Sequence, residues 1–240
     1  MPKAVVAGYA RSPFTIANKG ELITVRPEDL LSQVIKDLVT KSKINPEDIE
    51  DIIAGCAFPE GEQGFNIGKV VTFMSGMNVK TAGMTVNRWC GSSMQSVHIA
   101  AGAISMGAGK AFISCGVESM SRVPMLGFNP MPHPDLLENN PNVYLSMGAT
   151  AENVAKDKGI SRETQDKIAV ESHRRAINAI DKGFFKDQII PIEVKSRRET
   201  VSFDTDEHPR RDATLDGMAS LRPVFQKDGS VTVGNASGNK

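Results

Sequence analysis

The 240-residue sequence lacks an excess of charge of either sign. Lysine and arginine together number 28, and so do aspartate and glutamate. A chain without net charge has no overall field that attracts nucleic acid or an anionic membrane. We therefore expect no nucleic-acid partner and no membrane span. The hydrophobic content of 40% is enough to bury a sizeable core.

Cysteine is scarce. The three cysteines, Cys56, Cys90 and Cys115, are odd in number and have no paired or metal-type spacing, which argues against a disulfide framework and against a metal site. Few and unpaired cysteines are typical of proteins in a reducing compartment. The first residues carry neither the long apolar stretch of a signal peptide nor the arginine-rich pattern of a transit peptide. We expect a cytoplasmic protein.

Glycine-rich phosphate loops are absent as well. Gly8, Gly91, Gly107 and Gly109 do not assemble the dinucleotide-binding or phosphate-loop fingerprint. The segment after Cys90 also lacks the Gly-x-Ser-x-Gly elbow of many serine hydrolases. A glycine cradle for a nucleotide and a serine nucleophile are therefore not indicated.

Strand-like and helix-like segments alternate in the first half of the chain. Short apolar runs predict a buried first strand at residues 4–8 and further strands at 51–55 and 111–114. Two helices are indicated by their start signals: one begins at Pro27 and would bury Leu30, Val34 and Leu38, and one extends from residue 91 to about 106. This alternation predicts an α/β core whose sheet is covered on both faces.

The second half of the sequence has a less regular pattern of helix-like and strand-like segments. Five prolines occur between residues 124 and 141, which excludes a continuous helix or a central strand there. A polar helix capped by Ser161 is predicted as far as about residue 182, and a strand at 229–234. We expect a loop-rich excursion from the α/β core.

Cys90 lies where the apolar run 81–89 gives way to the small-residue helix that begins with Gly91. Unpaired N–H groups and the positive end of the dipole at a helix start favour a thiolate over a thiol, so Cys90 is a candidate nucleophile. The alternative is that this cysteine is a small core residue. Cys56 and Cys115 end strand-like runs and are predicted to pack in the core.

Residues 86–95 (VNRWCGSSMQ) resemble the acylation-site segment of the thiolases, the enzymes that make or break the carbon–carbon bond of 3-oxoacyl-CoA. Other segments resemble the family in the same order along nearly the whole chain. They are residues 10–14 (ARSPF), 62–67 (EQGFNI), 116–121 (GVESMS), 147–153 (MGATAEN), 161–166 (SRETQD), 213–216 (ATLD), 221–225 (LRPVF) and 232–238 (TVGNASG).

The resemblance implies a thiolase-like layered α-β-α core with an inserted loop-rich α/β excursion. We expect an N-terminal core at residues 1–118, a loop domain that covers CoA at 119–230, and a return strand at 231–240. In the family pattern a second core domain would follow, with a histidine that activates the nucleophile and a second cysteine that moves the proton. The sequence ends at Lys240, so we expect this chain to carry only the nucleophile half, with a separate C-terminal half as a possible partner.

For the site, the resemblance implies that Cys90 accepts the acyl group and that Met147, Arg210 and Ser237 contact the substrate or CoA. Ser146 and Gly217 depart from the residues that are common in the family at those places. The alternative for Arg210 is a place on a solvated charged face. That face would hold the late basic residues Lys195, Arg197, Arg198, Arg210, Arg211, Arg222 and Lys227, which are interleaved with acidic ones.

The function that the resemblance implies is thiolytic cleavage of 3-oxoacyl-CoA by CoA, as in fatty-acid β-oxidation, with CoA as a substrate and no cofactor. One alternative is biosynthetic formation of acetoacetyl-CoA, and another is a non-catalytic CoA-binding or assembly module. None of the four histidines, His98, His133, His173 and His208, matches the family's base. The resemblance also implies a dimer or tetramer of this chain.

Overall fold

The computed structural model describes residues 3–195 and 199–240. These residues form two compact units. The first, called the core unit below, comprises residues 1–129, 186–206 and 240, and the second, called the loop unit, comprises 130–185 and 207–239. The domain boundaries expected after residues 118 and 230 stay predictions.

The core unit is built on a parallel sheet of three strands. They are β1 (Asp51–Gly55), β2 (Ala82–Val86) and β3 (Phe112–Gly116), in the order β2-β1-β3. Helix α2 (Ile67–Met74) connects β1 to β2, and helix α3 (Ser92–Met106) connects β2 to β3. The predicted α/β class is confirmed, and so are the strands that were predicted near residues 51 and 111.

Both faces of this sheet are covered at its central strand. Ile52, Ile53 and Ala54 of β1 are all buried, although successive side chains of a strand point to opposite faces. The two crossover connections run in opposite directions across the sheet. The connection through α2 leads from β1 to β2, and the connection through α3 leads from β2 past β1 to β3. Because such crossovers are right-handed, they place α2 and α3 on opposite faces.

Helix α1 (Pro27–Ser42) begins with proline at its first position and acidic residues in its first turn. Its buried side chains Leu31, Ile35 and Val39 join the apolar cluster around β1. The predicted apolar face, Leu30, Val34 and Leu38, packs against apolar clusters but is only partly buried. The reason is that α1 serves two apolar clusters, and Leu30 and Val34 face the second one.

The second cluster of the core unit contains Leu22 and Val25 from the chain before α1, and Ile190 and Ile192 from its later segment. Ile192 begins β4 (Ile192–Lys195), which pairs antiparallel with β5 (Thr200–Phe203). The predicted first strand at residues 4–8 is wrong. None of the described residues pairs with this segment in a sheet, and Val5 and Val6 are each 81% exposed.

The loop unit contains four helices: α4 (Pro134–Asn139), α5 (Met147–Lys158), α6 (Arg162–Asp181) and α7 (Leu215–Ala219). The helix predicted from Ser161 is confirmed as α6, and the Ser161 hydroxyl accepts the N–H of Thr164 as a cap. The strand predicted at 229–234 is wrong. Only an isolated bridge between Thr232 and Pro223 forms there, because side chains rather than a neighbouring strand take up its N–H groups.

None of the helices that the structure describes is long and apolar enough to cross a membrane.

Candidate active site

Cys90 is exposed in the five-residue turn that joins the end of β2 to the start of α3. Asn87 begins this turn, and its side-chain oxygen accepts the N–H of Trp89 at 2.9 Å. Trp89 has a φ of +48°, a conformation that non-glycine residues seldom adopt and that requires support from neighbouring contacts. Cys90 follows directly, so the thiol is presented by a tightly bent and internally bonded segment.

The turn lies at the carboxyl edge of the parallel sheet, the edge at which open α/β sheets bind their ligands. The first turn of α3 sits closely on the neighbouring strands because two strand-ending residues lack side chains. A Cβ at Gly55 would lie 2.4 Å from the Ser93 nitrogen, and a Cβ at Gly116 would lie 1.8 Å from the Ser93 hydroxyl oxygen. These glycines let the helix start approach β1 and β3.

Helix α3 begins at Ser92 with Gly91 as its cap, so Cys90 lies two residues before the first residue of the helix. Within residues 3–195 and 199–240 no acceptor is in hydrogen-bonding geometry with the Cys90 N–H, and the Cys90 backbone forms an isolated bridge with Arg88. A free N–H beside the positive end of a helix dipole can stabilise negative charge on a nearby atom. The arrangement fits both a thiolate and the oxyanion that forms when a thiolate attacks a carbonyl.

The other two cysteines have different surroundings. Cys56 is 1% exposed at the end of β1, and burial together with the neighbouring Glu118 carboxylate raises the pKa of its thiol to about 12. Cys115 lies within β3, and burial raises the pKa of its thiol to about 12 as well. Both thiols stay protonated near neutral pH, in agreement with the core packing predicted for them.

The three residues expected to contact the substrate or CoA all belong to the loop unit. Met147 is the first residue of α5 and is 69% exposed, while Ser237 is exposed near the end of the chain. The Arg210 guanidinium forms a two-pronged ion pair with the exposed Asp212, at 3.1 and 3.0 Å. Their role in binding stays a prediction. Of the late basic residues, Arg197 and Arg198 lie outside the described residues.

Ser146, one of the two departures from the family pattern, caps α5 by accepting the Ala149 N–H at 3.2 Å. The other, Gly217, donates its N–H to the Thr214 hydroxyl at the start of α7. The cap accounts for serine at position 146, whereas the Gly217 contact uses only the backbone, and nothing in the structure explains a glycine at position 217.

The histidines differ in their surroundings. His98 is exposed two turns into α3. His173 accepts the Arg210 N–H at its Nδ1 atom, and burial, followed by the charge of Arg210, lowers the pKa of its imidazole. Its bond to the backbone indicates a structural role.

Three residues of the core unit that sequence reasoning left without a role form or support the Cys90 turn. Gln63 is fully buried, Glu118 accepts three hydrogen bonds, and Asn87, within the turn, joins it to the segment after β1. Each lies in a segment that resembles the thiolases. The sequence signal that could have identified these three residues is the occurrence of polar residues close to the ends of buried strands in those segments.

Comparison with known proteins places these features in a family. Residues 4–239 match the family model described as the thiolase N-terminal domain. Over 99% of its length the chain is 43% identical to the 3-ketoacyl-CoA thiolase of Bacillus subtilis, and over 91% it is 41% identical to beta-ketothiolase BktB of Cupriavidus necator. It covers 63% and 59% of those two proteins.

A solved structure agrees. The chain aligns over 99% of its length with the Bacillus anthracis acetyl-CoA acetyltransferase, at a TM-score of 0.89 and 35% identity, and covers 63% of that chain. The structural likeness extends through the sheet edge that carries Cys90. The chain therefore belongs to the thiolase family, within which it matches the N-terminal domain.

Proposed function

We propose that the protein containing this chain transfers acyl groups to CoA through an acyl-Cys90 intermediate, as a 3-oxoacyl-CoA thiolase. The observation that carries the proposal is the contrast among the cysteines. Cys90 is exposed at the carboxyl edge of the sheet beside a helix start, whereas Cys56 is buried and both it and Cys115 have thiols of raised pKa. Family membership and the similarity to a 3-ketoacyl-CoA thiolase add support.

In the first step, the Cys90 thiolate adds to the C3 carbonyl of the 3-oxoacyl-CoA and forms a carbon–sulfur bond. The C2–C3 bond then breaks, and its electron pair remains on C2. The proton that the Cys90 thiol gave up is returned to C2, which releases acetyl-CoA and leaves an acyl thioester on the enzyme. In this proposal the Cys90 N–H helps to stabilise the oxyanion of the tetrahedral intermediate.

In the second step, the thiol of free CoA adds to the acyl-Cys90 carbonyl. The bond to the Cys90 sulfur breaks, and the CoA proton passes to that sulfur. The products are the shortened acyl-CoA and the free Cys90 thiol. Covalent catalysis thus divides one difficult reaction into two easier ones.

The opposite direction, condensation of two acetyl-CoA molecules, is the second candidate. It uses the same acyl-Cys90 intermediate, and the structurally similar Bacillus anthracis protein is an acetyl-CoA acetyltransferase. The thiolytic direction ranks first because the more similar Bacillus subtilis relative is a 3-ketoacyl-CoA thiolase. A non-catalytic CoA-binding module is the third candidate, and it requires no covalent adduct.

We further propose that the protein acts in the cytoplasm in fatty-acid β-oxidation and self-associates through the core unit. Exposed apolar side chains on β2 and α3, Met84, Met94 and Val97, support self-association. Sedimentation velocity should give a dimer or a tetramer. A monomer at every accessible concentration would contradict this part of the proposal.

The test of the function is a thiolysis assay on the protein as it exists. The chain is mixed with acetoacetyl-CoA and CoA, acetyl-CoA is quantified by chromatography, and the intact protein mass is recorded in parallel. We expect an added acetyl group in the wild type and none in Cys90→Ser. Cys115→Ala is the matched control, since it removes a protonated thiol and should leave the adduct in place.

Turnover together with an adduct would support the enzyme, and an adduct without turnover would indicate that this chain carries only the nucleophile half. Binding of acetoacetyl-CoA without an adduct in the wild type would favour the non-catalytic module. An undiminished adduct in Cys90→Ser would contradict the assignment of the nucleophile.

A further inference from the structure

Two polar side chains of the core unit, the fully buried Gln63 and the partly buried Glu118, are linked to the Cys90 turn through the segment after β1. Glu118 follows β3, and its two carboxylate oxygens receive different donors. One oxygen accepts the backbone N–H of Ala57 at 2.7 Å. The other accepts the Gln63 side-chain amide, also at 2.7 Å, and the Cys56 thiol at 3.8 Å. Glu118 therefore joins the segment after β3 to the segment after β1.

Gln63 makes full use of its amide. Its nitrogen donates to the carbonyl oxygen of Phe58 at 2.8 Å, to Glu118 and, at 3.4 Å, to the Cys56 sulfur. Its oxygen accepts the N–H of Ser119 at 2.7 Å. The side chain is completely buried. Buried polar groups are costly unless they are hydrogen-bonded, and a fully bonded network holds its members in a single arrangement.

The segment held by this pair, residues 57–58, in turn contacts the Cys90 turn twice. The carbonyl oxygen of Ala57 accepts the Asn87 side-chain amide at 2.9 Å. The ring of Phe58 meets the ring of Trp89 edge to face, with centroids 5.3 Å apart and an interplanar angle of 74°. The contacted residues are Asn87, three positions before Cys90, and Trp89, one position before it.

We propose that Glu118 and Gln63 are positioning residues for Cys90, an inference that rests on the acyl-transfer function proposed above. They fix residues 57–58, which then hold Asn87 and Trp89 and so set the direction of the Cys90 thiol. An acceptor-only carboxylate suits position 118 because two N–H donors converge there. Neither side chain needs to touch the substrate.

The expected consequence is a loss of acylation rate without a loss of affinity. A misplacement of about 1 Å can reduce a reaction rate about 100-fold. We expect Glu118→Ala to lower the maximal rate of Cys90 acylation about 10- to 100-fold. The acyl-CoA concentration at half-maximal rate should change less than about 2-fold, because the expected CoA contacts lie in the loop unit.

The experiment measures the rate of acetyl-adduct formation against acetyl-CoA concentration in the full chain, by intact-protein mass spectrometry. The variants are Glu118→Ala, Glu118→Gln and Gln63→Ala. The Glu118→Gln variant keeps one acceptor oxygen, so its rate should lie between those of the wild type and the alanine variant. Glu152→Gln is the matched control, because Glu152 is likewise a carboxylate that accepts backbone N–H groups, but it is buried in the loop unit.

A second readout does not depend on acyl transfer. Trp89 is the sole tryptophan of the chain, so its fluorescence reports directly on the Cys90 turn. The Glu118 and Gln63 variants should shift its emission and increase its quenching by acrylamide, and Glu152→Gln should not. Denaturant unfolding of each variant separates this local change from loss of the fold.

The outcomes distinguish the two proposals. A wild type that acetyl-CoA never acylates refutes the proposed function, while the Trp89 signals still show whether the pair holds the turn. The positioning role is refuted by a second result. In it the wild type is acylated, the Glu118→Gln and Gln63→Ala variants are folded, and both variants keep the maximal acylation rate and the Trp89 emission of the wild type. An equal rate loss in Glu152→Gln also refutes it, because the effect would then be general destabilisation.

Discussion

The Cys90 turn of the core unit and residues 229–237 of the loop unit are two irregular segments that are held in different ways. The turn rests on three parallel strands, and the first turn of α3 approaches two of them at glycines. Residues 229–237 have one isolated bridge, and the buried Glu152 holds them by accepting the N–H groups of Ser230 and Val231.

The backbone of the two segments is therefore held by different kinds of interaction. Around Cys90, strand ends and steric fit set the backbone, and hydrogen bonds add to them. Around residue 230, side-chain hydrogen bonds carry most of the order. Steric changes should therefore damage the core unit most, and the loss of a carboxylate should damage the loop unit most.

The largest effect should come from Gly55→Ala. The added Cβ would lie 2.4 Å from the Ser93 backbone nitrogen, so the start of α3 must move. Overpacking of this kind costs about 1–3 kcal/mol of unfolding free energy. Acylation of Cys90 should slow at least about 10-fold, because the helix start supports the turn. Denaturant unfolding and acylation kinetics measure the two effects.

Gly116→Ala is the matched control for that steric argument. Its added Cβ would overlap most with the Ser93 hydroxyl, which can rotate away, and the nearest backbone atom, the Gly55 carbonyl oxygen, would lie 3.2 Å away. Its effect should be clearly smaller. Equal damage from both variants would show that the backbone of α3 is not the sensitive element.

The next largest effect should come from Glu152→Gln in the loop unit. Burial alone would raise the pKa of Glu152, but the N–H groups of Ser230 and Val231 outweigh burial and lower it below its ordinary value of 4.5. Glutamine offers one acceptor oxygen where three donors converge, so we expect a loss of about 1–3 kcal/mol of unfolding free energy. Urea unfolding at neutral pH measures it.

The pH dependence of that loss has a definite sign. Because the folded-state pKa is depressed, the stabilisation is fully present above pH 4.5 and disappears as the pH falls through the folded value. The difference between wild type and Glu152→Gln should therefore shrink below pH 4.5. Glu163→Gln, which removes an exposed carboxylate paired with Lys167, should cost much less at neutral pH.

The smallest effect should come from Arg210→Ala. If Arg210 contacts the phosphate-bearing nucleotide of CoA, its loss should raise the acyl-CoA concentration at half-maximal acylation about 5-fold and leave the maximal rate unchanged. Acyl-pantetheine, which lacks the nucleotide, should show no difference between wild type and variant. Steady-state acylation with both donors measures this.

Arg211→Ala provides the comparison for Arg210. Arg211 is also exposed and forms a two-pronged pair, with Asp181 at 3.0 and 2.6 Å, but it was not predicted to bind CoA. A similar change in both variants would favour the solvated charged face over a specific contact.

The sequence predicted the core unit better than the loop unit, because burial orders the core unit and long-range side-chain hydrogen bonds order residues 229–237 of the loop unit. The apolar runs at β1 and β3 and the helix after Cys90 follow periodic patterns that burial enforces. The apolar residues at 229–234 satisfy the strand pattern equally well, yet they form no strand. Glu152, about 78 positions earlier in the chain, takes up the N–H groups that a ladder would need.

The supporting residues of the Cys90 turn were beyond local pattern reasoning. Cys90 was identifiable because it lies between a strand and a helix start. Glu118 and Gln63 act through bonds between residues 55 positions apart, and no periodicity encodes such a contact. The resemblance to the thiolases supplied the segments that contain them but not their contacts.

The most direct test of the central claim is site-resolved mass spectrometry of the full chain after brief incubation with acetyl-CoA at neutral pH. The protein is digested, and the peptides that contain Cys56, Cys90 and Cys115 are quantified separately. The account predicts an acetyl thioester on Cys90 that added CoA removes, with Cys56 and Cys115 unmodified. A stable adduct on another side chain, with Cys90 unmodified, would contradict it.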